Sequence, residues 1–346
     1  MRTDFFKPLG DVAKESLEHL NDNDRLLKRQ CQVSAVLSDC PPRSGCIICG
    51  NTLNDAPLFK HRLVDYVLCP VCEHIQSKVQ PPSGYPTREI DGLTFDQIYP
   101  KLSKEEYMSR KNRIYRPKLD WLLSCHKELG LNRENLIAAR WLELGCSCGY
   151  FLDALRDVGV KNFRGLEENK DLVKRANTVL GDDCVQSFRG SLASAILEYP
   201  ADIYVAFFVL EHMEDTGRFF QAMRRCPKGT LFYFSVPVFG FATFLESGFG
   251  HYFARNLDSV LHTQLYTDSS LQYCLKLGDY QMVAQWIFGQ DSTDLFRMLM
   301  TSLKERYSEP FLAKIGKQVS SLQDSIQRVI DQHYLADSRH ILAVKR

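Results

Sequence analysis

Short apolar runs alternate along the middle of the chain with segments whose apolar residues recur every three or four positions. The run at 141–144 predicts a buried strand, and residues 150–158 predict an amphipathic helix that ends at Gly159. Later runs predict further strands at 161–167, 184–188, 202–212, 229–236, 280–288 and 341–345. Strands that alternate with helices in this way predict an α/β fold around a mostly parallel sheet.

A tight turn of small residues joins the first of these strands to its helix. Gly145 and Gly149 let the backbone approach a ligand closely, because neither carries a Cβ atom. The turn does not match the dinucleotide fingerprint Gly-x-Gly-x-x-Gly, since Ser147 and Tyr150 occupy its second and third glycine positions. NAD and FAD are therefore disfavoured. Glu143 would repel a phosphate, but it suits a cofactor that carries ammonium and sulfonium charges.

The run Glu143-x-Gly145-x-Ser147-x-Gly149 resembles motif I, Glu/Asp-x-Gly-x-Gly-x-Gly, of the class I S-adenosylmethionine-dependent methyltransferases, with Ser147 in place of the middle glycine. The resemblance implies a Rossmann-like class I methyltransferase sheet of seven strands, mostly parallel. A plain strand-to-helix connection is the alternative for the turn alone, but four further elements follow in the family's order. Glu167, roughly twenty residues beyond the first glycine, is expected to bind the ribose hydroxyls.

The resemblance also implies the remaining contacts of S-adenosylmethionine, including a pair of small residues beside the adenine. The expected cofactor-binding residues are Glu143, Gly145, Cys146, Ser147, Gly149, Glu167, Gly190, Ser191, Phe207 and Phe208.

Four of the 12 cysteines form a metal-binding pattern. Cys46 and Cys49 make one Cys-x2-Cys pair, and Cys69 and Cys72 make a second pair 19 residues later. This spacing predicts a structural zinc ribbon in which four thiolates bind one ion, whereas redox or incidental pairs are the alternative. The other cysteines are scattered or lie in the cofactor turn, and we expect them to be reduced. Such a ribbon before a methyltransferase domain resembles a bacterial family with an N-terminal zinc-binding module. Many of its members methylate sugars or other small metabolites in surface-polysaccharide and natural-product pathways.

The chain is expected to divide into five parts. These are an N-terminal helical lead (1–45), the zinc ribbon (46–80), a linker with helices (81–135), the S-adenosylmethionine-binding domain (136–288 and 334–346) and a helical insertion (289–333). Family members usually join the last two strands by a short hairpin. The insertion is therefore expected to pack on the catalytic domain or on another subunit, so a homo-oligomer is among the expected partners.

The helix predicted within residues 102–129 has Ser103 as its N-cap and Glu106 in capping-box position, and Pro117 must kink it or start a new helix. Aromatic and basic residues on it could close over the cofactor carboxylate or hold an anionic substrate, although a solvated basic face is the alternative. These residues are Tyr107, Arg110, Arg113 and Tyr115. The aromatic and glycine-rich segment 239–253 is interpreted as a substrate loop, with a buried hydrophobic corner as the alternative.

Composition narrows the choice of partners. The chain has 346 residues, of which 45% are hydrophobic and 25% charged, which is enough for an α/β core with smaller units. Its 43 Lys and Arg residues balance 42 Asp and Glu residues, so no overall charge favours a nucleic acid. The first residues lack the apolar segment of a signal peptide, and no apolar stretch approaches the length of a membrane span. The cytoplasm is the expected compartment.

These observations predict methyl transfer to a small hydroxylated metabolite, with a carbohydrate or sugar nucleotide favoured as the acceptor. A hydroxyl needs a general base, and histidine is the default choice at neutral pH. His262 is preferred, followed by His251 and then His212. Two alternatives stay open, namely an RNA methyltransferase whose ribbon recognises the nucleic acid and a non-catalytic binding protein on the same fold.

Overall fold

The computed structural model describes residues 1–11, 23–53, 57–81, 101–181, 183–257, 263–304 and 306–346. The strands are β1 (Arg2–Phe5), β2 (Phe59–His61), β3 (Val64–Leu68), β4 (Ile75–Ser77), β5 (Trp141–Leu144), β6 (Phe163–Glu167), β7 (Val185–Ser187), β8 (Ile203–Phe207), β9 (Leu231–Pro237), β10 (Gln264–Leu265), β11 (Tyr280–Ile287) and β12 (Ser338–Lys345). The α-helices are α1 (Asn23–Ser38), α2 (Lys104–Arg110), α3 (Arg116–Ser124), α4 (Arg133–Ala138), α5 (Tyr150–Asp157), α6 (Lys170–Leu180), α7 (Leu192–Glu198), α8 (Thr216–Met223), α9 (Phe241–Phe249), α10 (Asp268–Gly278), α11 (Asp291–Leu303), α12 (Glu309–Ser320) and α13 (Gln323–Gln332).

An eight-stranded sheet forms the centre of the molecule, with the strand order β1-β11-β12-β9-β8-β5-β6-β7. Strand β12 runs antiparallel to both of its neighbours, and the other neighbouring strands are parallel. The predicted α/β fold is thus confirmed, and all seven predicted strands are present. Strand β1 adds an eighth, which the sequence pattern missed because its four residues, Arg-Thr-Asp-Phe, do not form an apolar run.

The parallel strands place the turns that follow them along one edge of the sheet, which we call the carboxyl edge. Strand β5 leads there into the turn Gly145–Gly149, and β8 leads into Phe208. All seven residues of β9 are buried, as expected for a central strand whose two faces are both covered.

Two helices before β5 begin where the sequence predicts. Ser103 and Glu106 form a reciprocal capping box at the start of α2. A π-helical turn, Lys111–Tyr115, connects α2 to α3, and Pro117 lies in the first turn of α3, where its missing N–H costs nothing. Among the described residues, no helix is both long enough and apolar enough to cross a membrane.

The second cysteine pair lies in the turn between β3 and β4, and the first pair precedes β2. These strands belong to a second, antiparallel sheet with the order β10-β4-β3-β2. Its edge strand β10 comes from beyond α9, and Gln264 and Leu265 pair with Gln76 and Ile75. The first cysteine pair packs against the start of α8, where the Gly217 N–H donates to the Ile47 carbonyl over 3.0 Å.

The ribbon and the α/β part of the chain share one hydrophobic core. Cys46, Cys69 and Cys72 are buried in the same cluster as Phe219 and Phe220 of α8. The ribbon is therefore packed against the α/β part of the chain and does not form a separate module.

Helices α11, α12 and α13 lie between β11 and β12, which confirms the predicted helical insertion. Met298 of α11 packs with Leu245 of α9 and with Phe253. Asp291 accepts a hydrogen bond from the Ala242 N–H over 2.9 Å. The segment interpreted as a substrate loop therefore contains a helix, α9, whose dense aromatic and glycine content hides the helical period in the sequence.

Candidate active site and metal centre

The turn after β5 has the backbone of a ligand-binding turn. Gly145, Ser147 and Gly149 all have positive φ angles, of 67°, 49° and 76°. This conformation costs a residue other than glycine about 1–2 kcal/mol, so Ser147 adopts the geometry of the glycine it replaces at some expense. A Cβ atom at Gly145 would come within 2.7 Å of the Val209 side chain. The departure at Ser147 thus preserves the expected course of the backbone.

Glu167, at the end of β6, holds this turn in place. One carboxylate oxygen accepts from the Ser147 N–H over 2.9 Å, and the other accepts from the Asn169 N–H over 2.9 Å. The side chain is half-buried, and each oxygen keeps a lone pair for a further donor. Glu167 is thus placed to accept hydrogen bonds from ribose hydroxyls beside the turn.

Glu143 lies in β5 with its side chain buried, and its Oε2 atom has no hydrogen-bond partner. Burial raises the pKa of this carboxyl well above its usual range, while the nearby Lys118 opposes the shift and Glu167 adds to it. An orphaned carboxylate oxygen beside a positive-φ turn fits a ligand that brings an ammonium group. The residues therefore fit S-adenosylmethionine.

The aromatic and basic segment before β5 lies against the same turn. The rings of Tyr107 and Tyr115 stack on Tyr150 with centroids 4.6 and 5.2 Å apart, and the Arg110 guanidinium lies 5.6 Å from the Tyr150 ring centre. The Tyr107 hydroxyl donates to the Cys148 carbonyl over 3.4 Å. This packing brings the end of α2 against the glycine turn.

The other expected cofactor residues occupy varied surroundings. The Cys146 side chain is buried, and burial raises the pKa of its thiol well above the usual range, so only its backbone is suited to contact a ligand. Ser191 caps α7, accepting from the Ser194 N–H over 3.2 Å, and Gly190 precedes it. Phe207 is buried at the end of β8, whereas Phe208 has a positive φ of 55° and is 40% exposed.

Two of the three histidines predicted as bases are among the described residues. His212 follows Glu211 in the 3-10 turn after β8, and its side chain is exposed. His251 is exposed as well, with its ring 3.9 Å from that of Tyr252. His262 lies outside the described residues.

Three titratable residues at the carboxyl edge were not predicted from the sequence. Lys118 of α3 is 3% exposed, and its Nζ lies 4.4 Å from the ring centre of Phe207. Glu211 is fully buried with neither carboxylate oxygen partnered, and burial raises the pKa of this carboxyl to about 8. His340 of β12 is buried, with Nδ1 2.5 Å from the Ser235 hydroxyl and Nε2 unpartnered.

Only the tertiary structure identifies these three residues. Lys118 stands in a helix of mixed polarity, where a lysine usually faces solvent. Glu211 belongs to the Leu-Glu-His segment, in which the histidine is the more usual base at neutral pH. His340 precedes the apolar run by which the last strand was predicted. A buried, unpartnered polar atom is a property of the packing and has no counterpart in a local pattern.

The four cysteines of the ribbon converge. Their sulfur atoms all lie within 4.8 Å of one another, with Cys46 and Cys72 3.5 Å apart and Cys49 and Cys69 also 3.5 Å apart. Four thiolates at this separation fit the tetrahedral coordination of a zinc ion and leave no open position. They would hold the ion as a structural element.

The residues that follow the second cysteine of each pair shape the site. Gly50 and Glu73 both have positive φ angles, of 72° and 57°. The Gly50 N–H donates to the Cys46 carbonyl and the Glu73 N–H to the Cys69 carbonyl, so the two turns are equivalent. His74 lies outside this set of ligands, because its Nε2 is hydrogen-bonded to Gln264.

Comparison with known proteins identifies the family. A family model described as a methyltransferase domain matches residues 107–285. No curated protein sequence matches the chain.

Among solved structures, the chain is similar to magnesium protoporphyrin IX methyltransferase from Synechocystis, with 12% identity over 71% of this chain and 89% of that one and a TM-score of 0.43. An S-adenosylmethionine-dependent methyltransferase from Archaeoglobus fulgidus shows 16% identity over 70% and 100%, with a TM-score of 0.39. Another from Mesorhizobium loti shows 16% identity over 60% and 91%, also with a TM-score of 0.39. Because the family model spans more than half of the chain and includes the glycine turn, the protein belongs to the methyltransferase-domain family and is an S-adenosylmethionine-dependent methyltransferase.

Proposed function

We propose that this enzyme methylates a hydroxyl group of a small polar metabolite, and that the acceptor is a carbohydrate or a sugar nucleotide. The observation that carries the proposal is the set of buried, unpartnered polar atoms that the cofactor assignment leaves at the carboxyl edge, on Glu211 and His340. Such atoms are costly to leave unpaired, so a site that contains them favours a ligand that supplies the missing hydrogen bonds. A polyhydroxylated acceptor does so through several groups at once.

The proposed cofactor site uses the residues around the glycine turn. When bound, S-adenosylmethionine supplies an electrophilic methyl group. Glu143 would pair with its ammonium group, and Glu167 would accept from the ribose hydroxyls. Gly190 and Ser191 would lie beside the adenine, and the segment around Tyr107 would exclude water from the methionine end.

The chain's own contribution to the reaction is largely alignment. A methyl transfer is an in-line displacement, and fixing the acceptor against the cofactor removes much of the entropic barrier. Phe208 forms a partly exposed aromatic wall at the end of β8, and its positive φ of 55° is a strained conformation of the kind that collects at functional sites. We assign this ring to the acceptor side of the site.

Zinc is proposed as a structural ion that takes no part in the chemistry. The four sulfur atoms would complete its coordination, and three of the four cysteines are buried in the core. The absence of an open position argues against binding of a substrate to the metal.

The test is transfer of a labelled methyl group from S-adenosylmethionine to three sets of acceptors, namely sugars with sugar nucleotides, hydroxylated small molecules without sugar, and total RNA. Label in the first set is expected. Label in the second set alone removes the carbohydrate proposal and keeps the hydroxyl. Label in RNA, with binding that weakens steeply as salt rises, would replace the proposal with the RNA methyltransferase alternative.

A further inference from the structure

A buried lysine lies at the carboxyl edge among aromatic rings. The Nζ of Lys118 is 4.4 Å from the ring centre of Phe207, 4.8 Å from that of Phe208 and 5.8 Å from that of Tyr115. The residue as a whole is only 3% exposed. Lysines are almost never buried to this extent, so the position requires an explanation.

The rings fix where the amine is located. Phe207 is the last residue of β8, and Phe208 is the first residue beyond it. The ends of parallel strands are the place where open α/β sheets bind ligands. Tyr115 stacks on Tyr150, the first residue after the glycine turn, so the amine lies between the cofactor turn and the aromatic wall assigned to the acceptor.

Charged groups of both signs face Lys118 from the surrounding elements. Lys7 of the N-terminal segment and Arg110 of α2 are positive, whereas Glu143 of β5 and Glu211 after β8 are acidic. His340 of β12 also feels the charge of Lys118, which contributes to lowering the pKa of that imidazole well below its usual value.

The balance of these effects brings the amine into the range of a base. Burial is the largest cause that lowers the pKa of Lys118, and the charges of Lys7 and Arg110 lower it further. Glu143 and Glu211 oppose this shift, which leaves a pKa of about 7. A group with a pKa close to the working pH is the most effective general base. The amine is then partly neutral near pH 7 and can accept a proton.

We propose that Lys118 is a catalytic residue, the general base that removes the proton from the acceptor hydroxyl during methyl transfer. This inference rests on the proposed function, that of a hydroxyl acceptor. As the acceptor oxygen forms its bond to the methyl carbon, the sulfur–carbon bond breaks and its electron pair stays on sulfur. The hydroxyl proton moves to Nζ, and the resulting ammonium returns it to water after the product leaves.

The main competing role is that of a permanent cation that binds a carboxylate of the cofactor or of the acceptor. The two roles differ in protonation, because a base must be neutral in the cofactor complex, whereas an anion-binding lysine must be charged. They also differ in the response to arginine, which preserves a charge but cannot accept a proton at neutral pH.

The first experiment measures the protonation state and needs no acceptor. The full-length wild-type protein is labelled with trace isotopic acetic anhydride between pH 5.5 and 10, alone and with S-adenosylhomocysteine, and each lysine is quantified by peptide mass spectrometry against exposed Lys170. We expect the labelling of Lys118 to rise with a midpoint near pH 7 in both states. A midpoint above pH 9 in the complex would overturn the proposal, whatever the acceptor proves to be.

The second experiment compares Lys118→Met and Lys118→Arg. We expect both variants to bind S-adenosylhomocysteine within about threefold of the wild type by calorimetry and both to lose about 10²-fold or more in turnover of the acceptor found by the methyl-transfer screen. Cofactor binding that weakens tenfold in Lys118→Met and recovers in Lys118→Arg would assign the lysine to the cofactor carboxylate and reject the base. Melting curves of both variants test for misfolding. If arginine does not fit the buried site, the methionine variant and the wild-type titration still distinguish the general base from the permanent cation.

Failure of the proposed function gives a different result. If no hydroxylated acceptor is methylated but Lys118 titrates near pH 7 with cofactor affinity intact, the acceptor class is wrong and the basic amine stands. If a hydroxyl acceptor is methylated at an undiminished rate by Lys118→Met, the base proposal alone fails.

Discussion

The side chains of His74 and Gln264 form a hydrogen bond of 3.0 Å between two fully buried residues. His74 follows the second cysteine pair by two positions, and its carbonyl accepts the Cys69 N–H. The amide nitrogen of Gln264 donates to the carbonyls of Leu210 and Met213, over 3.2 and 2.6 Å, on either side of Glu211. A continuous chain of hydrogen bonds therefore connects the cysteine cluster to the segment that carries the buried Glu211 at the carboxyl edge.

Because of this connection, we expect the cysteine cluster to stabilise the folded protein beyond the ribbon itself. We expect the Cys49→Ser, Cys72→Ser double variant to lose one zinc per chain and to melt about 5 °C or more below the wild type, because the bound ion stabilises only the folded state. Elemental analysis and differential scanning fluorimetry measure the two effects.

The control for this variant is Cys31→Ser, which changes an exposed cysteine outside the cluster. It should keep both the metal and the melting temperature. Zinc-free wild-type protein with unchanged stability would show that the four cysteines do not hold a stabilising ion.

Glu167 should contribute to cofactor binding in two ways. Removing its carboxylate in Glu167→Ala takes away the acceptors proposed for the ribose. It also removes the hydrogen bond from the Ser147 N–H that shapes the turn. We expect the affinity for S-adenosylmethionine to fall by about 1.5–3 kcal/mol, the scale of hydrogen bonds to a charged group, with the fold intact. Titration calorimetry measures the change.

The neighbouring Glu168→Ala is the matched control, because this side chain is exposed. Its dissociation constant should equal that of the wild type. If Glu167→Ala behaves in the same way, the ribose lies elsewhere and the assignment of the motif to this turn is mistaken.

Local patterns were sufficient for the features that depend on neighbouring residues in the chain. The glycine turn, the paired cysteines, the capping box of Ser103 and Glu106 and the new helix at Pro117 all follow from residues within a few positions of one another. Each of these features is determined by backbone geometry or by ligand spacing, which a sequence displays directly.

Features that depend on distant packing could not be predicted. Strand β10 has only two residues, Gln264 and Leu265, and it is recognisable only because β4 lies beside it. Lys118 resembles any helical lysine until α3 is packed against the end of β8. The shared core of ribbon and sheet likewise joins segments more than 100 residues apart, since Cys46 and Phe219 belong to one hydrophobic cluster.

His262 is the sequence-based alternative to Lys118 as the base. This alternative predicts that His262→Ala lowers turnover by about 10²-fold with cofactor affinity kept. Since His212 and His251 are exposed, we expect alanine at either position to leave turnover within a few-fold of the wild type. A large loss in His262→Ala together with normal turnover in Lys118→Met would assign the base to the histidine. A loss confined to the Lys118 variants would reject it.

Glu211 should make the stability of the protein depend on pH. Burial raises the pKa of this carboxyl from 4.5 to about 8 in the folded chain. Folding therefore favours the protonated form, so its stabilising contribution is complete below about pH 4.5 and is lost as pH rises through about 8.

Glu211→Gln keeps the shape of the protonated side chain without a charge to bury. We expect the variant to match the wild type at pH 5 and to exceed its free energy of unfolding at pH 8.5 by on the order of a few kcal/mol, measured by urea denaturation without cofactor. Glu168→Gln, at the exposed position, should show no such difference. An equal effect of Glu211→Gln at both pH values would mean that the carboxylate is ionised and paired in the folded protein. Its oxygens would then not need hydrogen bonds from a ligand at the carboxyl edge.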